Sequence, residues 1–230
     1  MSKVYLLSGA SSGIGAKLFE LITAKGNTVI PIARDKATAV KMNWNKYIIC
    51  DFSNPEHVYE QIKDFQEPID GFINCAGIAI GKPIWDTSVH ELTSIMNINL
   101  ISPMAIISSL KNNFKKNGQI ILISSKSAYG GGWDDAYIAS KGGINSLVKS
   151  LANKCAPDIR VIGIAPGVVA DTRMTNERKL NDLDNVINRI PLHKLATTSD
   201  ISNLILAMTE EAGAHITGAM IDINGGEYMR

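Results

Sequence analysis

The chain is poor in several features that would mark a protein class. Neither sign of charge is in excess: 23 basic against 22 acidic residues leave a net charge of +1. No run of like charge occurs, so neither nucleic acid nor an anionic membrane surface is an expected partner. Cysteine is scarce, and Cys50, Cys75 and Cys155 are odd in number and far apart. They fit reduced thiols in a cytoplasmic protein better than a disulfide framework. None stands at metal-ligand spacing with the four histidines, so no metal site is expected. The apolar runs are too short to cross a bilayer, and no secretory signal pattern precedes the first strand. Repeats and breaks in composition are also missing, so residues 1–230 read as one domain. At 45% apolar residues, that length supports a sizeable core.

What is present is an alternation of strand-like and helix-like segments. Strands are expected at Lys3–Ser8, Thr28–Ala33, Tyr47–Cys50, Ile69–Asn74, Gln119–Ile123, Arg160–Ala165 and Ala219–Ile223. Helices are expected between them, including a long one from about Ser88 to Phe114. Such alternation predicts an α/β fold with a parallel sheet covered on both faces. Ligands of these sheets bind beyond the carboxyl ends of the strands. The residues with the most distinctive chemistry fall at those ends.

The first strand runs into Gly9-Ala10-Ser11-Ser12-Gly13-Ile14-Gly15 and then an amphipathic helix. Glycines allow a tight turn and close approach of the backbone to a pyrophosphate, and the helix N-terminus offers amides and a positive dipole end. The second strand ends in Ala33-Arg34-Asp35. An arginine there accommodates a 2′-phosphate, which favours NADP(H) over NAD(H); Asp35 could instead neutralise it as an ion pair. The third strand ends in Asp51-Phe52, where the carboxylate could accept from an adenine amino group. The fourth ends in Asn74-Cys75-Ala76-Gly77, small enough to pass close to a cofactor. Pro103 cannot donate to the carbonyl of Asn99, four residues earlier, which frees that carbonyl at a kink. The fifth strand ends in Ser124-Ser125 and the sixth in Pro166-Gly167. The polar, weakly periodic segment 168–198 reads as a substrate lid.

Between the fifth and sixth strands lies Tyr137-Ile138-Ala139-Ser140-Lys141. On a helix, this spacing puts the phenol and the ammonium on one face, one turn apart. An ammonium about 4 Å from a phenol favours the phenolate by about 4 kcal/mol at an effective dielectric of ~20. That is roughly 3 pKa units, enough to bring a phenol near the range of efficient acid–base work.

Taken in order, these motifs resemble the short-chain dehydrogenase/reductase family over nearly the whole chain. They are Ser8-Gly9-x-x-x-Gly13-x-Gly15, Asn74-x-Ala76-Gly77, Asn97-Ile98-Asn99-Leu100, Ser124-Ser125, Tyr137-x-x-x-Lys141, Pro166-Gly167, Thr217-Gly218 and Gly225-Gly226. The resemblance implies a Rossmann-type, doubly wound, seven-stranded parallel sheet, assembled as a homodimer or homotetramer. It implies Tyr137 as the acid–base residue, Lys141 as its partner and ribose ligand, and Ser125 as holder of the substrate oxygen. Asn99 would support a proton relay through its main-chain carbonyl, and Thr172 would hold the carboxamide. The implied cofactor site comprises Gly9, Ser11, Ser12, Gly13, Ile14, Gly15, Arg34, Asp51, Phe52, Asn74, Ala76, Gly77, Tyr137, Lys141, Pro166, Gly167 and Thr172.

The chain departs from the family in placing Ser8 where threonine is common and Cys75 where asparagine is common. Ser125 precedes Tyr137 by twelve residues, one fewer than usual, and Ser124 would restore the usual spacing. No basic residue stands directly before Gly13, where Ser12 is found. The implied function is transfer of hydride between a nicotinamide and a carbonyl or secondary alcohol, with 3-oxoacyl-carrier reductases as a subtype. For an acidic carrier, Lys126 and Arg173 are candidate basic residues, with solvated loop charge as the preferred reading, and Asp134 and Asp135 oppose such a partner. The competing reading is a dinucleotide-binding sensor or scaffold that does no chemistry.

Overall fold

The computed structural model describes residues 2–176 and 180–230. Its first half runs β1 (Val4–Ser8), α1 (Gly13–Ala24), β2 (Thr28–Ala33), α2 (Lys36–Lys41), β3 (Ile48–Ile49), α3 (Pro55–Ile62), β4 (Ile69–Asn74), α4 (Val89–Met96) and α5 (Ser102–Ser109). Its second half runs β5 (Phe114–Ile123), α6 (Ser127–Gly130), α7 (Asp135–Cys155), β6 (Ile159–Pro166), α8 (Arg173–Asn176), α9 (Leu180–Arg189), α10 (Thr198–Met208) and β7 (Met220–Ile223). The strands form one seven-stranded sheet in the order β3-β2-β1-β4-β5-β6-β7. Every pairing is parallel.

The strands are apolar on both faces because both faces are covered. Side chains alternate across a strand. Tyr5, Leu7, Ile73, Ile121 and Ile164 thus pack with Leu18 and Ile22 of α1 and Ile201 and Ile205 of α10. Leu6, Phe72, Ile120, Leu122 and Val161 pack on the other face with Val58 of α3, Ile106 of α5 and Ile144 and Val148 of α7. The helix starts follow local chemistry. Asn54 caps α3 ahead of Pro55, and reciprocal Ser88–Glu91 and Thr197–Asp200 capping boxes open α4 and α10.

The order of strands reverses direction between β1 and β4, which creates a crevice at their carboxyl ends. Ser8 and Asn74 are paired across it.

Three elements differ from expectation. The long helix ends at Ser109, and Phe114 already belongs to β5, paired with Ile69. The chain must leave the helix there to start β5 beside β4, a tertiary demand that local pattern does not carry. The third strand is reduced to Ile48–Ile49 at the sheet edge. The segment expected as an irregular lid contains α8 and α9; its residues 177–179 lie outside the described residues.

The kink expected from Pro103 takes the form of a π-helical turn at Asn97–Ile101 that joins α4 to α5. By length and composition alone, Val89–Ser109 would be apolar enough to cross a membrane, contrary to the expectation from single runs. In the fold it packs along α3 and α7.

Candidate active site

The glycine turn sits at the crevice. Gly9 has φ +71°, and a Cβ there would stand 2.8 Å from Ala76 N. A Cβ on Gly15 would stand 2.2 Å from Gly9 O, so the turn folds onto the first turn of α1 only with glycine at that position. Ser12 occupies the N-cap of α1, yet its side chain caps no amide. The first-turn amides are therefore left for a ligand, as a pyrophosphate requires. Behind the turn, Ser8 Oγ donates to Asn74 Oδ1 at 2.6 Å and accepts from Ala76 N at 3.2 Å. Serine thus does the structural work here that the family more often gives to threonine. Asn74 Nδ2 is buried with no partner.

A cavity of about 260 Å³ opens from this turn. Gly9, Ser12, Gly13, Ile14, Gly15, Ala76, Gly77, Ser125, Tyr137, Lys141, Pro166, Gly167 and Thr172 all line it. Six separate chain segments, read as one site from sequence, therefore meet at one place. A second cavity of about 710 Å³ lies beside it, lined by Ile80, Gly81, Trp133, Asp134, Ile138, Val186 and Arg189 among others. Tyr137, Ser127 and Met174 line both cavities.

The remaining candidates do not line the first cavity. Asn99 is buried behind it: its side chain accepts from Ile78 N at 2.8 Å and donates to Ile78 O and Ser140 Oγ. Ser11 is exposed beside the turn. Arg34 is exposed past β2, where its Nε donates to Asp35 Oδ2 at 3.1 Å. Asp35 also accepts from Thr38 N at 2.7 Å as the N-cap of α2. The Thr38 amide first, and Arg34 after it, hold that carboxyl below its usual range. Asp51 is exposed and accepts from Ser53 N at 2.9 Å. The Phe52 side chain is buried in the core, away from the crevice.

The lysine of the Tyr137–Lys141 pair is held from behind. Lys141 is 3% exposed, and its Nζ donates to Ile123 O at 2.8 Å. That nitrogen stands 5.7 Å from the centre of the Tyr137 ring. Burial pulls the lysine down to about 8, opposed by the neighbouring Cys75. Burial likewise pushes the Cys75 thiol up to about 12, so it stays neutral at physiological pH.

The two serines, both at the cavity, differ in their hydrogen bonds. Ser124 Oγ is buried and donates to Asn145 Oδ1 at 2.5 Å, with Lys141 O at 3.1 Å. Among the described residues, Ser125 Oγ is bonded only by Ser127 N, at 3.1 Å, and its proton is not donated to any of them. Thr172 faces Gly13 across the cavity, its Oγ1 bonded to Val169 O and Thr175 Oγ1 at 3.2 Å.

Two expectations about surface charge are corrected. Lys126 is paired with Glu227, whose side chain is 4% exposed, so it is not a free basic residue at the rim. Asp134 and Asp135 do not project at a partner either; both accept backbone amides. Asp134, Ser140 and Asn145 are supporting residues that the motif reading passed over. Asp134 had a legible signal, an aspartate three residues before the helix tyrosine, which is N-cap chemistry. Ser140 and Asn145 had none. Trp133 lines the larger cavity, whereas Tyr129 stacks on Tyr228 and under Arg230. Among the described residues, no group of three or more His, Cys, Asp or Glu is placed to hold a metal ion.

A family model described as enoyl-(acyl carrier protein) reductase matches residues 9–227. The chain is 32% identical to the 3-oxoacyl-(acyl-carrier-protein) reductase FabG of Buchnera aphidicola subsp. Baizongia pistaciae, over 99% of this chain and 98% of the relative. The chain belongs to the short-chain dehydrogenase/reductase family. It is also 28% identical to an acetoacetyl-CoA reductase of an Acinetobacter strain, over 99% of this chain and 98% of that one. Its fold superimposes on a short-chain dehydrogenase/reductase (glucose/ribitol dehydrogenase) from Brucella melitensis with a TM-score of 0.92 and 27% identity, covering 100% of both chains. It is therefore a nicotinamide-dependent oxidoreductase with a Rossmann-type sheet and resembles the 3-oxoacyl reductases of this family.

Proposed function

We propose that this short-chain dehydrogenase/reductase reduces a carbonyl to a secondary alcohol with NADPH, Tyr137 giving the proton. One observation carries the reading: Tyr137 stands between two adjoining cavities, one with the glycine turn and Lys141, the other larger and of mixed lining, with Ile80, Ile138 and Val186 beside Asp134 and Arg189. When bound, the nicotinamide supplies the hydride. Ser125 Oγ donates to the carbonyl oxygen and fixes its place. Tyr137 Oη passes its proton to that oxygen as negative charge develops on it. Lys141, charged at neutral pH, stabilises the phenolate that results. The main-chain carbonyl of Asn99 anchors the water through which Tyr137 regains its proton. Thr172 holds the carboxamide and Asp51 the adenine.

The preference for NADPH rests on Arg34. Only its Nε is engaged by Asp35, so the two terminal amino groups remain for a 2′-phosphate. Residues 1–230 act as one domain in the cytoplasm, with segment 168–198 closing over the larger cavity. The exposed apolar side chains Val89, Ile101 and Met104 along α4 and α5 support assembly into a homodimer or homotetramer.

The test is calorimetric titration of wild type and Tyr137→Phe with NADPH and NADH, beside turnover on acetoacetyl-CoA and a ketone panel. Tighter NADPH than NADH binding is expected in both proteins. Turnover should be confined to the wild type, with a loss of about 10²–10⁴-fold in the variant. Full turnover by Tyr137→Phe would remove the tyrosine from its role. Binding by wild type without turnover on any ketone would favour the sensor reading.

A further inference from the structure

We propose that Asp134 is a positioning residue that fastens the catalytic helix to the wall of the substrate cavity, acting through Tyr137 and the 75–83 loop. The proposal deepens the reductase reading, on which only its kinetic arm rests.

The chain between β4 and the short helical turn at Ile84 has no regular structure over residues 75–83. Loop amides must find acceptors or water. Here they are met by side chains brought from other elements. Asn99 takes Ile78 at both its N–H and its carbonyl. Asp134 Oδ2 accepts from Ile80 N at 2.6 Å and from Gly81 N at 2.7 Å. Its other oxygen accepts from Tyr137 N at 2.9 Å, in the first turn of α7. On either side, Trp133 Nε1 donates to Gly81 O at 3.2 Å and Asp135 Oδ2 accepts from Ile84 N at 2.8 Å. Three consecutive residues at the start of the catalytic helix thus reach across to residues 80–84.

Asp134 is 9% exposed and makes no ion pair among the described residues. Its charge is met by three amides and the positive end of α7. An N-cap alone needs one acceptor, which serine or asparagine supplies as well. A carboxylate with both oxygens engaged is what joins two elements. Those elements face the same space: Ile80, Gly81, Asp134 and Tyr137 all line the larger cavity. Of the three residues that reach across, Asp134 is the one whose side chain also bonds the amide of the proton donor, Tyr137.

Asp134→Ser separates the two functions, because serine keeps the cap yet is too short to reach the loop. Amide exchange read by mass spectrometry on the full chain is the primary measurement. Residues 78–84 should exchange at least ~10-fold faster in Asp134→Ser, while α7 keeps its protection, since an amide bonded to an ionised carboxylate loses a strong bond. NADPH affinity should stay within about twofold. With acetoacetyl-CoA as probe, kcat/KM should fall about tenfold or more, as expected when a reacting group loses its alignment. Unchanged exchange at 78–84 would overturn the proposal. So would a loss of NADPH affinity in step with activity, which would reduce Asp134 to a helix cap. If the wild type does not turn over acetoacetyl-CoA, the reductase reading is at fault and the exchange result still decides this one. Should Asp134→Ser not fold, Asp134→Asn serves: its one acceptor oxygen can hold the loop or the helix, so one of the two must lose protection. Protection retained by both would refute the clamp.

Discussion

Replacing Lys141 by methionine tests the energetics at the centre of the site. Methionine has similar length and no charge. The ammonium is buried, and burial lowers its pKa from 10.5 to about 8. A gap of that size corresponds to about 3 kcal/mol that the folded protein gives up to keep the lysine charged. Below pH 8 the folded and unfolded chains both carry the proton, and the full penalty is present. Between pH 8 and 10.5 the unfolded chain holds a proton that the folded one lacks, so stability rises with pH. From pH 7 to pH 10 the wild type should gain about 2–3 kcal/mol from this group alone. Lys141→Met does not share that gain.

Urea unfolding of both proteins at pH 7 and pH 10, without added nucleotide, isolates it, because the other titrating groups cancel in the difference. At pH 7 the variant should be as stable as wild type or more so, by up to about 2 kcal/mol. The relief of ~3 kcal/mol is offset by ~1–3 kcal/mol for leaving the Ile123 carbonyl without the bond it now accepts. Turnover should be lost at both pH values. A difference in stability that does not change with pH would refute the reasoning: Lys141 would then be solvated in solution, and its charge would need another explanation.

Two further outcomes follow from the geometry. Ser125→Ala should lose turnover with little change in stability, whereas Ser124→Ala should lose about 1–3 kcal/mol of stability, because Asn145 Oδ1 is left buried without its donor; thermal melts beside kcat would distinguish them, and the reverse assignment would make Ser124 the substrate ligand. Gly15→Ala should abolish cofactor binding or folding, since no rearrangement of a side chain relieves a Cβ 2.2 Å from the Gly9 carbonyl oxygen; normal NADPH titration of that variant would mean the turn is not packed on α1 as described.

Much of this protein is set by sequence in the immediate neighbourhood of each residue. The strands β2 and β4 coincide with their expected bounds, because buried parallel strands are short apolar runs between turn residues. The glycine turn, the Tyr137–Lys141 spacing and the Pro103 kink were all legible, because each depends on a few adjacent residues: a Cβ that must be absent, one helical turn, one missing N–H.

Other features were decided by the tertiary structure, because they depend on partners far along the chain. Phe114 leaves the expected helix to pair with Ile69. Lys126 is spent on Glu227, a hundred residues later, instead of facing a partner at the rim. Ser124 and Ser125 are neighbours that no spacing rule separates, and both line the cavity, yet Asn145 accepts the proton of Ser124 while Ser125 Oγ accepts from Ser127 N. Asp134 read as a surface charge opposing an acidic partner, until the fold laid the amides of Ile80 and Gly81 against it. Sequence alone determined which chemistry the chain carries, since residue type and short spacing fix reactivity. Only the fold decided which of those groups are free to use it, since that turns on which distant donors and acceptors have already claimed them.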